Sequence, residues 1–164
     1  MQGDFAAASA LFEECLVLYR ELGDPCSIAE AQGNLGRTAL RQGEYVAARA
    51  FLDASLAHST ELGHTLGIAN AQFTLGVIAP RQGDYDTAAA RFRASLALHR
   101  QVGNREGIAN ALEELATVLD EQGKDGGQEA LLEESLRIPR TRRSERHRHR
   151  ARPSRHGGMS ARRL

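Results

Sequence analysis

At 164 residues the chain is long enough for one domain with a buried core. It is 41% hydrophobic but only 5% aromatic, without tryptophan, and its apolar residues are mostly Ala and Leu, the strongest helix formers; the alternating β-branched and aromatic runs that mark a sheet are absent. The formal charge of zero sums two opposite parts: residues 1–139 hold 11 Lys and Arg against 20 Asp and Glu, giving −9, and residues 140–164 hold ten Arg against Glu145, giving +9.

In chain order, the first expected helix spans residues 4–22 and closes at Leu22-Gly23. The second spans 25–41, opening at Asp24-Pro25, where the acid caps the helix and proline takes the first turn, which has no use for its missing N–H. Ile28, Ala31, Leu35 and Ala39 fall on one face of it. After Gly43 comes a helix over 44–62, closed by Gly63, then one over 65–81. Pro80 lies in the last turn of that helix and should bend or end it early. Gly83 turns the chain into a helix over 84–102, closed by Gly103, and Asn104 caps the next, over 105–122. The following copy decays: Asp125 replaces a tyrosine, Gln128 replaces an alanine, Gly126-Gly127 invites fraying, and Pro139 stops the pattern within a helix. Residues 140–164, with ten Arg and three His and almost nothing apolar, are expected to form a disordered tail.

These elements repeat. Residues 41–80 and 81–120 agree at 17 of 40 positions, and RQGEY at 41–45 returns as RQGDY at 81–85. The frame extends both ways: Leu35-Gly36 answers Leu75-Gly76 and Leu115-Ala116, and Ile28-Ala29 answers Ile68-Ala69 and Ile108-Ala109. A lone helix pair cannot bury its apolar face, whereas stacked pairs cover one another. The expected fold is therefore all-α, a right-handed α-solenoid of antiparallel helix pairs with about three and a half repeats over residues 1–139. The chain opens on a second helix, and neither end carries a capping helix. It reads as a piece of a longer array, part of a larger regulator, with uncapped ends open to self-association.

Asn34-Leu35-Gly36, Gly43-Glu44-Tyr45, Ala48, Leu52 and Ser55 resemble the tetratricopeptide repeat, as do Leu75-Gly76, Gly83-Asp84-Tyr85, Ala88, Phe92 and Ser95. The common repeat has about 34 residues; the longer period here resembles kinesin-light-chain-like arrays and the C-terminal arrays of large bacterial ATP-binding transcriptional regulators. Gln32, Gln72 and Leu112 stand where the family often has tryptophan. The resemblance implies a scaffold for protein–protein contacts, with the first helix of each pair lining a concave groove. The groove set is then Asn34, Arg37 and Arg41 from the first such helix, Asn70, Phe73, Thr74, Val77 and Arg81 from the next, and Asn110, Glu113, Glu114 and Thr117 from the third. Glu30, Gly33 and Glu121 share those faces. Charge should run from basic to acidic along the groove, with Phe73 as an aromatic anchor near its middle. Asn34 matches a position at which carboxylate-clamp members grip a chain terminus, but Glu113 and Glu114 argue for a partner segment of mixed charge with an apolar residue instead.

Chemistry beyond binding finds little support. His58, His64 and His99 have no motif around them and read as surface histidines, and Glu13-Glu14, Glu113-Glu114 and Glu133-Glu134 read as solvated faces because neighbouring helical residues diverge. No phosphate-cradling glycine loop occurs. The expectation is no enzyme and no cofactor. Cys15 and Cys26 suit neither a disulfide framework nor a zinc site, and His147 with His149 makes a poor metal site. No basic–apolar leader and no membrane-length run is present, so a soluble cytoplasmic protein is expected. The alternative reading is a nucleic-acid-associated regulator whose basic tail neutralises phosphates. Against it, the tail's arginines lack interleaved aromatics, and its composition also suits translation of GC-rich DNA in a wrong frame.

Overall fold

Seven helices alternate in direction along the described residues: α1 (Gln2–Leu22), α2 (Pro25–Gln42), α3 (Tyr45–Glu61), α4 (Thr65–Ile78), α5 (Tyr85–Gln101), α6 (Arg105–Glu121) and α7 (Gln128–Arg137). The computed structural model describes residues 2–123 and 127–139, with side chains from residue 7 onward; Asp125, Gly126 and the arginine-rich segment 140–164 lie outside them. Each helix packs on the next, and α2, α4 and α6 also touch across the repeats. This is the expected α-solenoid, with pairs α2–α3, α4–α5 and α6–α7 and with α1 packed on α2.

Local signals decide where the helices begin and end. The Asp24 carboxylate accepts from the amides of Cys26 and Ser27 at 3.1 and 3.2 Å and from the Ser27 hydroxyl at 2.6 Å. The Ser27 hydroxyl is the main reason its pKa lies below the ordinary carboxylate value. Asn104 and Asp84 cap α6 and α5 through Gly107 and Thr87, whereas His64 and Glu44 precede α4 and α3 without a side-chain cap. Left-handed glycines recur every 20 residues, at 23, 43, 63, 83, 103 and 123, with φ between 62° and 81°. Only glycine takes that conformation freely. Pro80 acts as expected: α4 stops at Ile78 and the chain continues as a 3₁₀ turn over Ala79–Gln82.

The core is built from small residues facing larger ones. Gly36 lets α3 come so close to α2 that an added Cβ would meet Leu52 Cγ at 2.6 Å, and at Gly76 it would meet the Phe92 ring at 2.9 Å. Phe92 is fully buried among Ala79, Ala88, Ala89, Leu115, Val118 and Leu119, a burial that contributes about 2–3 kcal/mol. A serine staple also repeats within each pair. Ser55 donates to the Ala29 carbonyl at 2.7 Å, Ser95 to that of Ala69 at 2.9 Å, and Ser135 to that of Ala109 at 3.4 Å. The last pair departs from the pattern: Leu132, in register with Leu52 and Phe92, is exposed, while Leu131 packs inward. No helix among the described residues is long and apolar enough to cross a membrane.

Candidate functional site

The surface formed by α2, α4 and α6 carries the expected groove residues, and the structure divides them between two hollows. Asn34 and Arg37 of α2 join Asn70 and Thr74 of α4 around a cavity of about 290 Å³ whose floor is Ala29, Leu52, Ser55 and Ser59. Val77 and Arg81 of the second repeat join Glu114 and Thr117 of α6, with Tyr85 and Glu121, around a second, more polar hollow. Arg41, Phe73, Asn110 and Glu113 line neither hollow.

Two residues of the set sit deeper than the sequence reading placed them. Phe73 is no free anchor: its ring packs on Phe92 at 5.5 Å between centroids and 60° between planes, and it joins two core clusters. Thr74 is buried, and its hydroxyl donates to the Asn70 carbonyl at 3.0 Å. A helix face assigned by angle alone is too coarse here, because the neighbouring helix α5 reaches round to cover that flank of α4.

Two readings of charged and titratable groups also need correction. His99 is not on the surface: it is 2% exposed, and burial holds its imidazole below the ordinary value. Gly107 opposite makes this fit possible, since a Cβ there would fall 2.5 Å from the ring. His58 is half-buried and shares a 2.8 Å hydrogen bond with Gln32. Glu113 and Glu114 are not solvated: both are half-buried, and Glu113 accepts from the Ser135 hydroxyl at 2.9 Å. Glu134 pairs with Arg100 at 2.6 Å.

Electrostatically the face has opposed ends. At the α2 end, the Arg37 side chain bonds Asn34. Its guanidinium remains at the surface, yet burial of its surroundings, and then Arg41, lower its pKa from the ordinary value. At the α6 end, burial, and then Glu121, raise the Glu114 carboxyl above the ordinary carboxylate value. The α2 end is thus basic on balance, with Arg37 and Arg41 against Glu30, and the α6 end acidic on balance, with Glu114 and Glu121 against Arg81, a difference that a ligand of mixed charge would match. Among the described residues no group of three or more His, Cys, Asp or Glu could hold a metal ion, and Cys15 and Cys26 are free.

Ser59 escaped the sequence reading. It lines the first cavity at 1% exposure, and its Oγ has no hydrogen-bond partner. Only the closeness of Gly67 across the helix interface, invisible in the linear chain, reveals the position as unusual.

Comparison with known proteins agrees with this geometry. The tetratricopeptide repeat family model matches residues 1–61, 27–101 and 67–141, overlapping windows that together run from 1 to 141. Among solved structures, the crystal structure of BtubC (BKLC) from P. vanneervenii is similar with a TM-score of 0.72 at 18% identity, over 99% of this chain and 65% of that one. This chain therefore spans just under two thirds of that protein's length, and at such identity the likeness concerns the fold. No curated protein sequence matches the chain.

Proposed function

The chain belongs to the tetratricopeptide repeat family, and on that premise we propose that it is a non-catalytic scaffold whose α2–α4–α6 face holds an extended segment of a protein partner. Repeats of this family generally mediate protein–protein contacts. The observation that carries the finer reading is the change in charge balance along one face, from Arg37 and Arg41 against Glu30 at the α2 end to Glu114 and Glu121 against Arg81 at the α6 end. A segment with an acidic end over α2 and a basic end over α6 would match both ends at once and would be held in one direction only. The working unit on this reading is residues 1–139, and two unpaired thiols suit a reducing, cytoplasmic setting.

Site-specific photo-crosslinking tests the proposal. A photoreactive residue at Arg37, Arg81 or Thr117 should capture a partner, while one at Ala50 or Arg93, exposed on α3 and α5, should not. Arg37→Glu and Glu121→Lys should each weaken capture, and the partner's binding should fall as salt rises. Capture equally efficient from Ala50 and Arg93, or unchanged by both charge reversals, refutes the reading. Phe73→Ala is unsuitable as a probe, because it opens the core against Phe92.

A further inference from the structure

The odd-numbered helices α1, α3, α5 and α7 form the outer layer, and one position in each repeat closes the gap between two of them. Phe51 of α3 packs against Leu16 of α1 and Ala31 and Leu35 of α2. Leu131 of α7 packs in the same register against Leu96 of α5 and Ala111 and Leu112 of α6. Between α3 and α5 that register holds Arg91, 40 residues from each of the other two. An apolar contact is thus replaced by a half-buried cation. Its Nη1 donates to Gln72 Oε1 at 2.8 Å, and among the described residues no acid forms an ion pair with its guanidinium.

Arg91 lines a hollow of about 290 Å³ on this outer side, floored by Leu75, Ile78 and Ala79. The charges around it are unequally satisfied. Arg49 of α3 has Asp53 one helical turn on, at 3.6 Å, and acts on Asp84 as well. Asp84 is committed to capping α5, held by the Thr87 hydroxyl and by its amide at 3.0 Å. Arg91 alone has only a neutral amide oxygen to set against its charge.

We propose that this outer hollow binds a carboxylate on a short apolar stem, gripped by Arg91, a chemistry shared by a small free acid and a glutamate side chain. The guanidinium carries five N–H donors in a planar fork, and the Gln72 bond occupies Nη1. The edge formed by Nε and Nη2 is left to hold both oxygens of one carboxylate. The stem would lie on Leu75, Ile78 and Ala79. Size permits it: an apolar cavity of roughly 150 Å³ holds the six carbons of benzene, and butyrate has as many heavy atoms. Arg49 and Arg91 against Asp84 leave one net positive charge on the lining, which suits a monoanion; a phosphate dianion would exceed it and be repelled by Asp84. Nothing on the α2–α4–α6 face takes part, so the site stands or falls apart from partner capture through Arg37.

Amide-resolved NMR titration of the full chain with butyrate and with butyramide, at fixed ionic strength, tests the site. Butyrate should shift the Gln82, Thr87 and Arg91 amides saturably, and butyramide should bind at least about tenfold more weakly. Arg91→Leu, which installs the residue found at 11 and 131, and Arg91→Gln should each abolish those shifts while the rest of the spectrum stays that of the parent. Arg91→Lys, without the planar fork, should weaken binding at least about threefold. N-acetyl-glutamate amide separates the two sources: tighter binding than butyrate assigns the site to a protein side chain, and weaker binding assigns it to a free acid. Shifts that never saturate, equal binding of butyrate and butyramide, or binding that survives both Arg91→Leu and Arg91→Gln overturns the proposal.

Discussion

Replacing Gly36 by alanine should destabilise the protein, although the same exchange in an ordinary helix interior stabilises it by about 1 kcal/mol. The added methyl would lie 2.6 Å from Leu52 Cγ, 2.9 Å from Leu52 Cδ2 and 3.1 Å from the Ala48 carbonyl oxygen. The first of these is a branch carbon of a side chain that is 1% exposed, and the last is backbone, so neither neighbour can swing away. Overpacking of this kind costs about 1–3 kcal/mol, and two contacts below 3.0 Å place it near the upper figure. Less the helix-propensity gain, the net loss is about 2 kcal/mol. With an m-value of about 2 kcal/mol/M, the urea midpoint should fall by about 1 M. The reverse change at the matching place two repeats on, Ala116→Gly, should also destabilise. Ala116 is buried and faces no clash, so it loses about 1 kcal/mol of helix propensity and about 0.8 kcal/mol of methyl burial. Urea unfolding followed by far-ultraviolet circular dichroism measures both. A Gly36→Ala protein more stable than the parent would show that α2 and α3 do not approach as described and would refute the account of the Leu-Gly pair.

Burial depresses the His99 pKa from its ordinary value of 6.5, so the unfolded chain takes up a proton first as pH falls. The resulting penalty is absent above the unfolded value and grows from there down to the folded one; stability should drop as pH falls through 6.5, and the drop should be shallower in His99→Leu. Glu114, whose pKa is raised, pulls the other way in the acid range and is common to both proteins, so an equal slope in the two would exclude His99 as the titrating group. Glu44→Asp should stabilise by about 0.5–1 kcal/mol, since Glu44 precedes α3 without a side-chain bond while Asp84, at the same register, accepts from the Thr87 amide at 3.0 Å. An unchanged urea midpoint would mean that the entry to α3 is held by the backbone alone.

Most of the fold was legible because its signals are local. Asp24-Pro25, the glycine series and the apolar spacing of Ile28, Ala31, Leu35 and Ala39 each act within a few residues, and the helix bounds follow them closely. The 40-residue period then supplied the stacking. The site was legible in outline only: Asn34, Arg37, Asn70 and Thr74 do gather at one cavity. What the sequence concealed depends on partners across a helix interface. Phe73 is drawn inward by Phe92, His99 is admitted to the interior by Gly107, and Glu113 is turned toward Ser135. Each pair is separated by at least eight residues in the chain, and none has a local signature that fixes which neighbour it meets.

The even spacing of the left-handed glycines imposes a rule of parity on the chain. Connections within a pair and between pairs use the same turn at the same 20-residue interval, so gaining or losing one helix would leave every turn intact. It would also exchange inner helices for outer ones downstream, pointing residues such as Arg81 and Glu114 away from the surface that Asn34 and Arg37 share. Two helices restore the assignment. Length can therefore change freely only in even steps, and a binding face written across several repeats survives duplication or loss of 40 residues but not of 20.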